Sequence, residues 1–468
     1  MARRRLGSNV VMRKTVLIIL AALVLLIAGA WLGLNTPGKA GGRHVLVISI
    51  DGMSSNYYMN PPPGLDIPNM RTFMDHGSFA EAVTGDYPTL TYPSHTTMVS
   101  GRMPAEHGIY TNLSSRQPGK NLNDWFWFAK DIRTPALWDE ARAHHLTTAS
   151  VAWPVTAGAP IDWDVPEIWN PNRPAAPEPF YVARFMNPLV TLEVALTLGL
   201  PRRDSEDDEN RARIADEFLI RHHPSLTLVH LEALDLAQHA QGPGSAAAIA
   251  ALNRDDVHIG EMLGTLRQAG LDSSTDVFIV SDHGFLTVRR EIRPDLLLAD
   301  AGLLTVDSHG RVTGGRIATV VNEGSFFVYW PPGEDVTAQV DAALKPLRDR
   351  GLIYAEFDRQ ALARMGADPE ARLAFEAADG AKFVSEATGP LVTELQFPTG
   401  DHGYLPTRPG LQSSFIACGP DIRAGVDLHQ ITLTAIGPTL LEALGIRDPQ
   451  FGDRPPLQII FSATSKHE

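Results

Sequence analysis

The chain has 468 residues and a formal net charge of −14, with 44% hydrophobic and 20% charged residues. This composition excludes collagen-like, wholly disordered and polytopic membrane proteins, and the acidic balance argues against nonspecific binding to the phosphate backbone of nucleic acids. The single cysteine, Cys418, excludes a disulfide within the chain and a zinc site made of thiolates, so a metal would need Asp, Glu or His ligands.

The N-terminal segment predicts a membrane anchor. Five basic residues lie in 1–14, and the uncharged apolar run after them, 16–34, is about long enough at ~1.5 Å per residue to cross a bilayer. We therefore expect a basic cytoplasmic N-terminus over 1–14, a transmembrane anchor over 15–34, a linker over 35–43 and a periplasmic or extracellular remainder. The alternative is a cleaved signal peptide, which would give a secreted chain.

Beyond the linker, short apolar runs alternate with helical patterns. The runs that predict buried strands are 45–50, 149–153, 226–231, 277–280 and 414–417. Helices are predicted over 134–145, with Thr134 as N-cap, and over 246–269, ending at Gly270. The alternation predicts an α/β fold with a mostly parallel sheet, in which ligands bind at the carboxyl ends of strands.

Acidic and histidine side chains stand next to these predicted strands. They are Asp51 after the first strand, Asp235 and His239 after the third, Asp282 and His283 after the fourth, and His402 shortly before the last. Three carboxylates gathered in one place would repel one another unless cations neutralised them. Asp and His in this ratio suit Zn²⁺ with three or four ligands per ion, so these residues predict two metal ions.

The segment 88–101 predicts a short helix with Thr91 at its N-terminal edge. A hydroxyl there faces free backbone N–H groups and the positive end of the helix dipole, which favour a phosphate. Coordination to a metal would lower the pKa of the hydroxyl and make it a nucleophile. The alternative, that Thr91 only caps the helix, stays equally open from this segment alone.

Six motifs in this order resemble the type I phosphodiesterase/nucleotide pyrophosphatase family of the alkaline phosphatase superfamily. They are Asp51-Gly52, Pro88-Thr-x-Thr91-Tyr-Pro-Ser-His95, His107-Gly-Ile-x-x-Asn112, Asp235-x-x-x-His239-x-x-Gly-Pro243, Ser281-Asp-His-Gly284 and His402-Gly-Tyr404. The resemblance runs from about residue 44 to residue 446. It implies an alkaline-phosphatase-like fold, in which a mostly parallel sheet is flanked by helices.

The resemblance also implies a set of site residues. One Zn²⁺ would be held by Asp51, Thr91, Asp282 and His283, and the second by Asp235, His239 and His402. Thr91 would be the nucleophile that forms a phosphothreonine, and Asn112 would donate to a phosphoryl oxygen. His95 and His107 have no role in the pattern and are interpreted as structural.

The residues around Thr91 favour a phosphodiester or pyrophosphate substrate. Tyr92 stands where alkaline phosphatases have an arginine for a monoester dianion, so a phosphate with one negative charge is the better match. Thr91 and His95 depart from the sulfatase pattern. We expect a two-zinc hydrolase acting on a small-molecule diester or nucleotide. A phosphomonoesterase, a head-group phosphotransferase and a catalytically silent binding protein are the alternatives.

The length of the chain exceeds what one compact core usually organises. We expect a catalytic domain over 44–284 and 400–468, and an inserted α+β subdomain over 285–399, which is too long for a loop. Tryptophans after the nucleophile, including Trp153 and Trp169, are candidates for stacking on the substrate. Packing inside a small core is the alternative for these tryptophans. Residues 199–211 predict an exposed acidic loop.

Overall fold

The computed structural model describes residues 42–114, 125–168, 179–198 and 207–462. Its strands are β1 His44–Ile50, β2 Ser78–Phe79, β3 Ala82–Thr84, β4 Thr148–Val151, β5 Trp163–Val165, β6 Leu226–Leu231, β7 Thr275–Val280, β8 Leu286–Ile292, β9 Leu304–Val306, β10 Val312–Gly315, β11 Ala318–Asn322, β12 Ser325–Tyr329, β13 Ile353–Asp358, β14 Leu373–Ala377, β15 Ala381–Phe383, β16 Val392–Asp401, β17 Phe415–Cys418, β18 Val426–Asp427 and β19 Gln430–Thr432. Its α-helices are α1 Asn56–Met59, α2 Pro68–His76, α3 Thr91–Ser100, α4 Pro104–His107, α5 Leu137–Ala143, α6 Pro179–Val182, α7 Pro188–Leu198, α8 Asp208–His222, α9 Ala233–Gln241, α10 Ala246–Ala269, α11 Pro294–Asp300, α12 Thr337–Asp349, α13 Arg359–Arg364 and α14 Ile436–Ala443.

The largest sheet in the described residues has eight strands in the order β18-β2-β17-β7-β1-β6-β4-β5. β1 lies between β7 and β6 and runs parallel to both, and β4 and β5 continue in parallel beyond β6. β17 is antiparallel to β7 and to β2. The predicted α/β class with a mostly parallel sheet is therefore confirmed.

Helices cover both faces of this sheet. All residues of β1 and β6 are buried, which explains why apolar residues predominate in both strands. Alternate side chains of β1 enter different cores. Leu46 and Ile48 pack in a core with residues of α8 and α10, and Val45 and Val47 pack in a second core with residues of α14.

Some elements and their burial differ from the predictions where a side chain accepts a backbone N–H group. The helix predicted from Thr134 begins at Leu137, because the carboxylate of Asp139 accepts the Ala136 N–H at 2.9 Å. The predicted exposed loop 199–211 is wrong for Asp208 and Arg211, which are buried in α8. The rest of that loop, 199–206, lies outside the described residues.

The chain between β7 and β17 forms further sheets. A four-stranded sheet, β11-β12-β14-β13, shares a core with α12, and a three-stranded sheet has the order β15-β8-β16. β16 ends at Asp401, directly before His402, so this region connects straight to the predicted site. The division into 44–284 with 400–468 and an inserted 285–399 stays a prediction.

The prediction of a membrane-anchored, extracytoplasmic or secreted chain must be corrected. None of the helices in the described residues is long and apolar enough to cross a bilayer. The longest of them, α10, is interrupted by charges at Arg254, Asp255, Asp256, Glu261 and Arg267. The predicted anchor, 15–34, lies outside the described residues.

Candidate active site

Three acidic side chains lie where neighbouring strands end. Asp51 follows β1, Asp282 follows β7 after one residue, and Asp235 lies in the first turn of α9, just beyond β6. These three strands are adjacent and parallel, so their carboxyl ends meet at one edge of the sheet. His283 lies between them, with its Nε2 3.2 Å from Asp282 Oδ2 and 3.5 Å from Asp51 Oδ1.

Thr91 is the first residue of α3, beside this group. Its Oγ1 lies 3.4 Å from His283 Nε2. The other nine residues of α3 are buried, whereas Thr91 is partly exposed. The residue at the N-cap position is Leu90, whose side chain makes no capping hydrogen bond to α3. The hydroxyl of Thr91 is thus free of the capping role that the sequence left open.

A second group joins α9 to the segment after β16. One ligand atom from each of Asp235, His239 and His402 lies within 4.8 Å of the others. Asp235 and His239 are one helical turn apart on α9, with His239 Nε2 3.4 Å from Asp235 Oδ2. The His402 ring stacks on the His283 ring with centroids 3.8 Å apart, so the two groups adjoin. The structure therefore brings all of the predicted metal ligands together.

Backbone contacts hold His402 in place. His402 Nδ1 lies 2.9 Å from the carbonyl oxygen of Thr89, which also accepts the N–H of Gly403 at 2.9 Å. Gly403 has φ +80°, and a Cβ there would lie 2.0 Å from the carbonyl oxygen of Asn322. Only glycine fits this position without displacing the chain. His402 Nε2 consequently faces Asp235.

The buried carboxylates of the site favour the binding of cations. Asp51 Oδ1, Asp235 Oδ1 and Asp282 Oδ2 are buried and have no hydrogen-bond partner among the described residues. Burial, and then the charges of Asp282 and Asp235, raise the pKa of Asp51 well above its ordinary value. Burial, followed by the charges of Glu232 and Asp282, does the same to the pKa of Asp235. The unpaired carboxylates therefore fit divalent cations.

The two stacked histidines suit the same interpretation. Burial is the largest cause that lowers the pKa of His283 to about 4, and it also lowers the pKa of His402 well below its ordinary value. Both rings are therefore neutral near pH 7, which is the form that binds a metal ion. Carboxylate oxygens and neutral imidazoles together form a donor set typical of zinc sites.

Asn112 lies beside the start of α3. Its Oδ1 accepts the backbone N–H of Tyr92 at 3.0 Å. This hydrogen bond fixes the side chain next to Thr91 and leaves the amide N–H groups of Asn112 available to another acceptor.

Two residues that support Asp51, one in direct contact and the other through that first residue, are not found from the sequence. His230 lies in β6 between two carboxylates, with Nε2 3.0 Å from Asp51 Oδ2 and Nδ1 2.9 Å from Glu167 Oε2. Burial alone lowers the pKa of His230, but its hydrogen bonds to Asp51 and Glu167 outweigh burial and hold that pKa well above its ordinary value. The sequence feature that could have identified His230 is its position as a histidine near the end of a mostly apolar predicted strand.

The remaining predicted residues lie near the site, and of these His95 approaches one of its carboxylates, with Nδ1 3.6 Å from Asp282 Oδ2. His95 is buried, with Nε2 2.9 Å from Ser49 Oγ and Nδ1 2.9 Å from the carbonyl oxygen of Thr91. His107 is buried and lies 3.0 Å from Thr97 Oγ1. Trp153 is 0% exposed, and its ring meets that of His95 at 85° with centroids 4.9 Å apart, so it offers no free face for a substrate to stack on. Trp169 lies outside the described residues.

Comparisons with known proteins give a consistent family. The model of the type I phosphodiesterase/nucleotide pyrophosphatase family matches residues 45–405. Mouse ectonucleotide pyrophosphatase/phosphodiesterase family member 1 is 22% identical over 425 residues, covering 88% of this chain and 42% of the relative. Bovine bis(5'-adenosyl)-triphosphatase ENPP4 is 23% identical over 442 residues, covering 91% of this chain and 83% of the relative.

The chain spans less than half the length of the member 1 relative, and about a quarter of rat family member 3, at 24%. Among solved structures, an inactive form of murine ectonucleotide pyrophosphatase/phosphodiesterase 5 in complex with AMP aligns with a TM-score of 0.65. That alignment covers 90% of this chain and 100% of the other at 19% identity, and it establishes the same fold.

Proposed function

Since the chain belongs to the type I phosphodiesterase/nucleotide pyrophosphatase family, we propose that it hydrolyses phosphodiester or pyrophosphate bonds in small molecules. The observation that carries this proposal is the position of the Thr91 hydroxyl. Residue Thr91 is partly exposed, and its hydroxyl makes no capping hydrogen bond and lies 3.4 Å from His283, at the edge of two adjoining groups of Asp and His. This arrangement supports a nucleophile beside a metal centre.

The proposed cofactors are two Zn²⁺ ions. Asp51, Thr91, Asp282 and His283 would hold one ion, and Asp235, His239 and His402 the other. The ions, when bound, would neutralise the buried carboxylates, lower the pKa of a coordinated hydroxyl and offset the charge of the phosphoryl group and its leaving oxygen. The unpaired carboxylate oxygens and the neutral histidines described above support this assignment.

In the proposed reaction, Thr91 attacks phosphorus and the first product leaves as an alcohol or a phosphate. A phosphothreonine results, and water then hydrolyses it to release a monophosphate and restore the hydroxyl. Tyr92 donates its N–H to Asn112, and Pro93 has no N–H. Ser94 donates its N–H to the Leu90 carbonyl oxygen. It is therefore the positive end of the α3 dipole, and not a set of free N–H groups, that favours the phosphoryl group at this position. Asn112 donates from its amide to a non-bridging oxygen, because its carbonyl oxygen is already held by the Tyr92 N–H.

The surroundings of Thr91 support a diester rather than a monoester. Tyr92 is buried and donates its hydroxyl hydrogen bond to Glu167, at 2.9 Å. The residue that follows the nucleophile therefore presents no cation to a dianionic phosphate. A phosphate with a second ester group and a single negative charge matches this site better.

The test compares hydrolysis of bis-(p-nitrophenyl) phosphate and of p-nitrophenyl phosphate by the purified protein, with and without glycerol or ethanolamine. We expect a higher kcat/KM for the diester and no phosphorylated acceptor. A preference for the monoester would contradict the proposal. Transfer to the acceptor alcohol would identify a phosphotransferase instead of a hydrolase.

A further inference from the structure

His230 connects a predicted metal ligand to a carboxylate of another segment. It is 1% exposed and is the residue of β6 that pairs with Ser49 of β1. Its Nε2 lies 3.0 Å from Asp51 Oδ2, and its Nδ1 lies 2.9 Å from Glu167 Oε2 and 3.1 Å from the carbonyl oxygen of Ala152. Both ring nitrogens thus face acceptors.

The contact between His230 and Asp51 determines which way the two carboxylate oxygens of Asp51 point. Oδ2 is occupied by His230. Oδ1 has no hydrogen-bond partner in the part of the chain that the structure describes, and it lies 3.5 Å from His283 Nε2. The carboxylate is therefore fixed with one oxygen on the imidazole and the other toward the proposed metal ligands. Without His230, rotation of the carboxylate would be opposed by fewer contacts.

Glu167 holds the other end of this connection. Its Oε2 accepts from His230, and its Oε1 accepts from the hydroxyl of Tyr92 at 2.9 Å. Tyr92 directly follows Thr91 in the chain. One buried carboxylate therefore orients both the segment that carries the nucleophile and, through His230, Asp51.

Another buried histidine of the same sheet, His44, has no carboxylate partner in the part of the chain that the structure describes. His44 at the start of β1 is also buried, and its Nδ1 lies 2.8 Å from the carbonyl oxygen of Pro224. Its Nε2 has no hydrogen-bond partner among the described residues. The two carboxylates on His230 are thus not a general consequence of burying a histidine in this sheet.

We propose that His230, oriented by Glu167, is a positioning residue that aligns Asp51 for the metal ion at the first site. This inference rests on the function proposed above. Partners of this kind, which contact a ligand and not the ion, typically change metal affinity or activity by about 10- to 100-fold when they are replaced.

The test measures Zn²⁺ binding to the full chain by competition with a chromophoric chelator. His230→Leu should weaken one of two bound ions by about 10- to 100-fold and leave the other nearly unchanged. His230→Gln, which keeps one donor, should recover part of the loss. In Co²⁺-loaded protein, the visible bands of one ion should shift and those of the other should not.

The matched control is His222→Leu. His222 is 1% exposed, and its Nε2 lies 2.8 Å from Glu193 Oε1, so it is also a buried histidine paired with a carboxylate. It lies at the end of α8, before β6 begins, roughly 20 Å of strand away from the end of β6 near Asp51. Its replacement should leave both Zn²⁺ affinities unchanged.

Glu167→Gln covers the case in which His230→Leu does not fold. Glu167 contacts His230 and Tyr92 but not Asp51, and its replacement should weaken the same ion by a smaller factor. If His230→Leu folds and binds both Zn²⁺ ions with wild-type affinity, the inference is overturned. If only Glu167→Gln folds, wild-type Zn²⁺ affinity in that variant overturns it. A wild-type chain that binds no Zn²⁺ would contradict the proposed function itself, and the inference with it.

Discussion

Thr91 differs from every other residue of its helix. The nine residues after it are buried, including the polar Ser94, Thr96 and Thr97, whereas Thr91 is partly exposed and makes no cap. The helix is therefore held by its own packing, and the hydroxyl of Thr91 contributes little to the fold. A residue placed in this way is suited to chemistry.

Replacing Thr91 tests that role. Thr91→Ala should change the free energy of unfolding by about 1 kcal/mol or less, because it breaks no capping bond, but it should abolish nearly all turnover. Thr91→Ser keeps the hydroxyl and should keep substantial activity. Steady-state rates and chemical denaturation provide the two readouts. An Ala variant with near-wild-type turnover would mean that water attacks phosphorus directly.

The role of the Asn112 amide can be tested by changing its charge as well as by removing the side chain. Asn112→Asp keeps an oxygen for the Tyr92 N–H but presents a negative charge where the amide would donate to phosphate. We expect Asn112→Ala to lose about 10²- to 10³-fold in kcat and Asn112→Asp to lose more. Kinetics with the diester check this order. If Asn112→Asp were as active as the wild type, the amide would not contact the phosphoryl group.

The sequence predicts the proposed metal ligands better than the residues that support them. The seven proposed metal ligands stand next to predicted strands or at the start of a predicted helix, so local patterns suffice to find them. In the sequence, His230 is one more residue of the strand predicted over 226–231. Glu167 reaches His230 only because β5 lies beside β4 and β4 beside β6, which no local pattern encodes.

Among the elements, the buried strands are the easiest to predict. The prediction over 226–231 coincides with β6, and that over 246–269 coincides with α10, because continuous burial and a glycine at the helix end leave clear patterns. The start of α5 and the burial of Asp208 were missed, since both depend on side chains that accept backbone N–H groups.

The segment after β16 offers a test of how backbone packing positions a ligand. Gly403→Ala should place a methyl group against Asn322 and displace His402, with a large loss of activity and of one Zn²⁺. Gly351→Ala is the matched control, because Gly351 also has positive φ, +64°, but has open space around it. Both variants should lose roughly 1–2 kcal/mol of stability from backbone strain. Equal activities of the two variants would contradict the positioning argument.

The start of β7 gives a prediction about pH. Burial is the main cause that raises the pKa of Asp276 to about 7, despite a hydrogen bond from the Asp421 N–H at 3.1 Å. Because the folded-state pKa lies above the unfolded value, ionisation disfavours the fold. The penalty is absent below roughly pH 4, where both states are protonated, and it grows as the pH rises toward 7.

Asp276→Asn removes this penalty and keeps an oxygen for the Asp421 N–H. The free energy of unfolding of the variant, relative to the wild type, should rise by up to about 1.4 kcal/mol per pH unit between pH 5 and 7 and then level off. Urea unfolding at several pH values measures it. Asp272→Asn, at an exposed position nearby, controls for the loss of one charge. A difference that does not vary with pH would refute the prediction.

At the scale of the whole molecule, the strand order explains the site. β7, β1 and β6 are neighbours in the sheet although they are far apart in sequence, so the residues after them converge. His402 comes from a further segment and completes the group. The family predicted from the ordered motifs is confirmed by the family model and the relatives. The predicted membrane location is wrong, since none of the helices in the described part of the chain is long and apolar enough to cross a bilayer.

The measurement that tests the central claim most directly is a titration of the metal-depleted chain with Zn²⁺ during hydrolysis of bis-(p-nitrophenyl) phosphate. Elemental analysis at each step gives the number of ions bound per chain. The two adjoining ligand groups predict that activity rises until two ions are bound and then stays constant. Full activity with one ion per chain, or with none, would contradict the two-metal account.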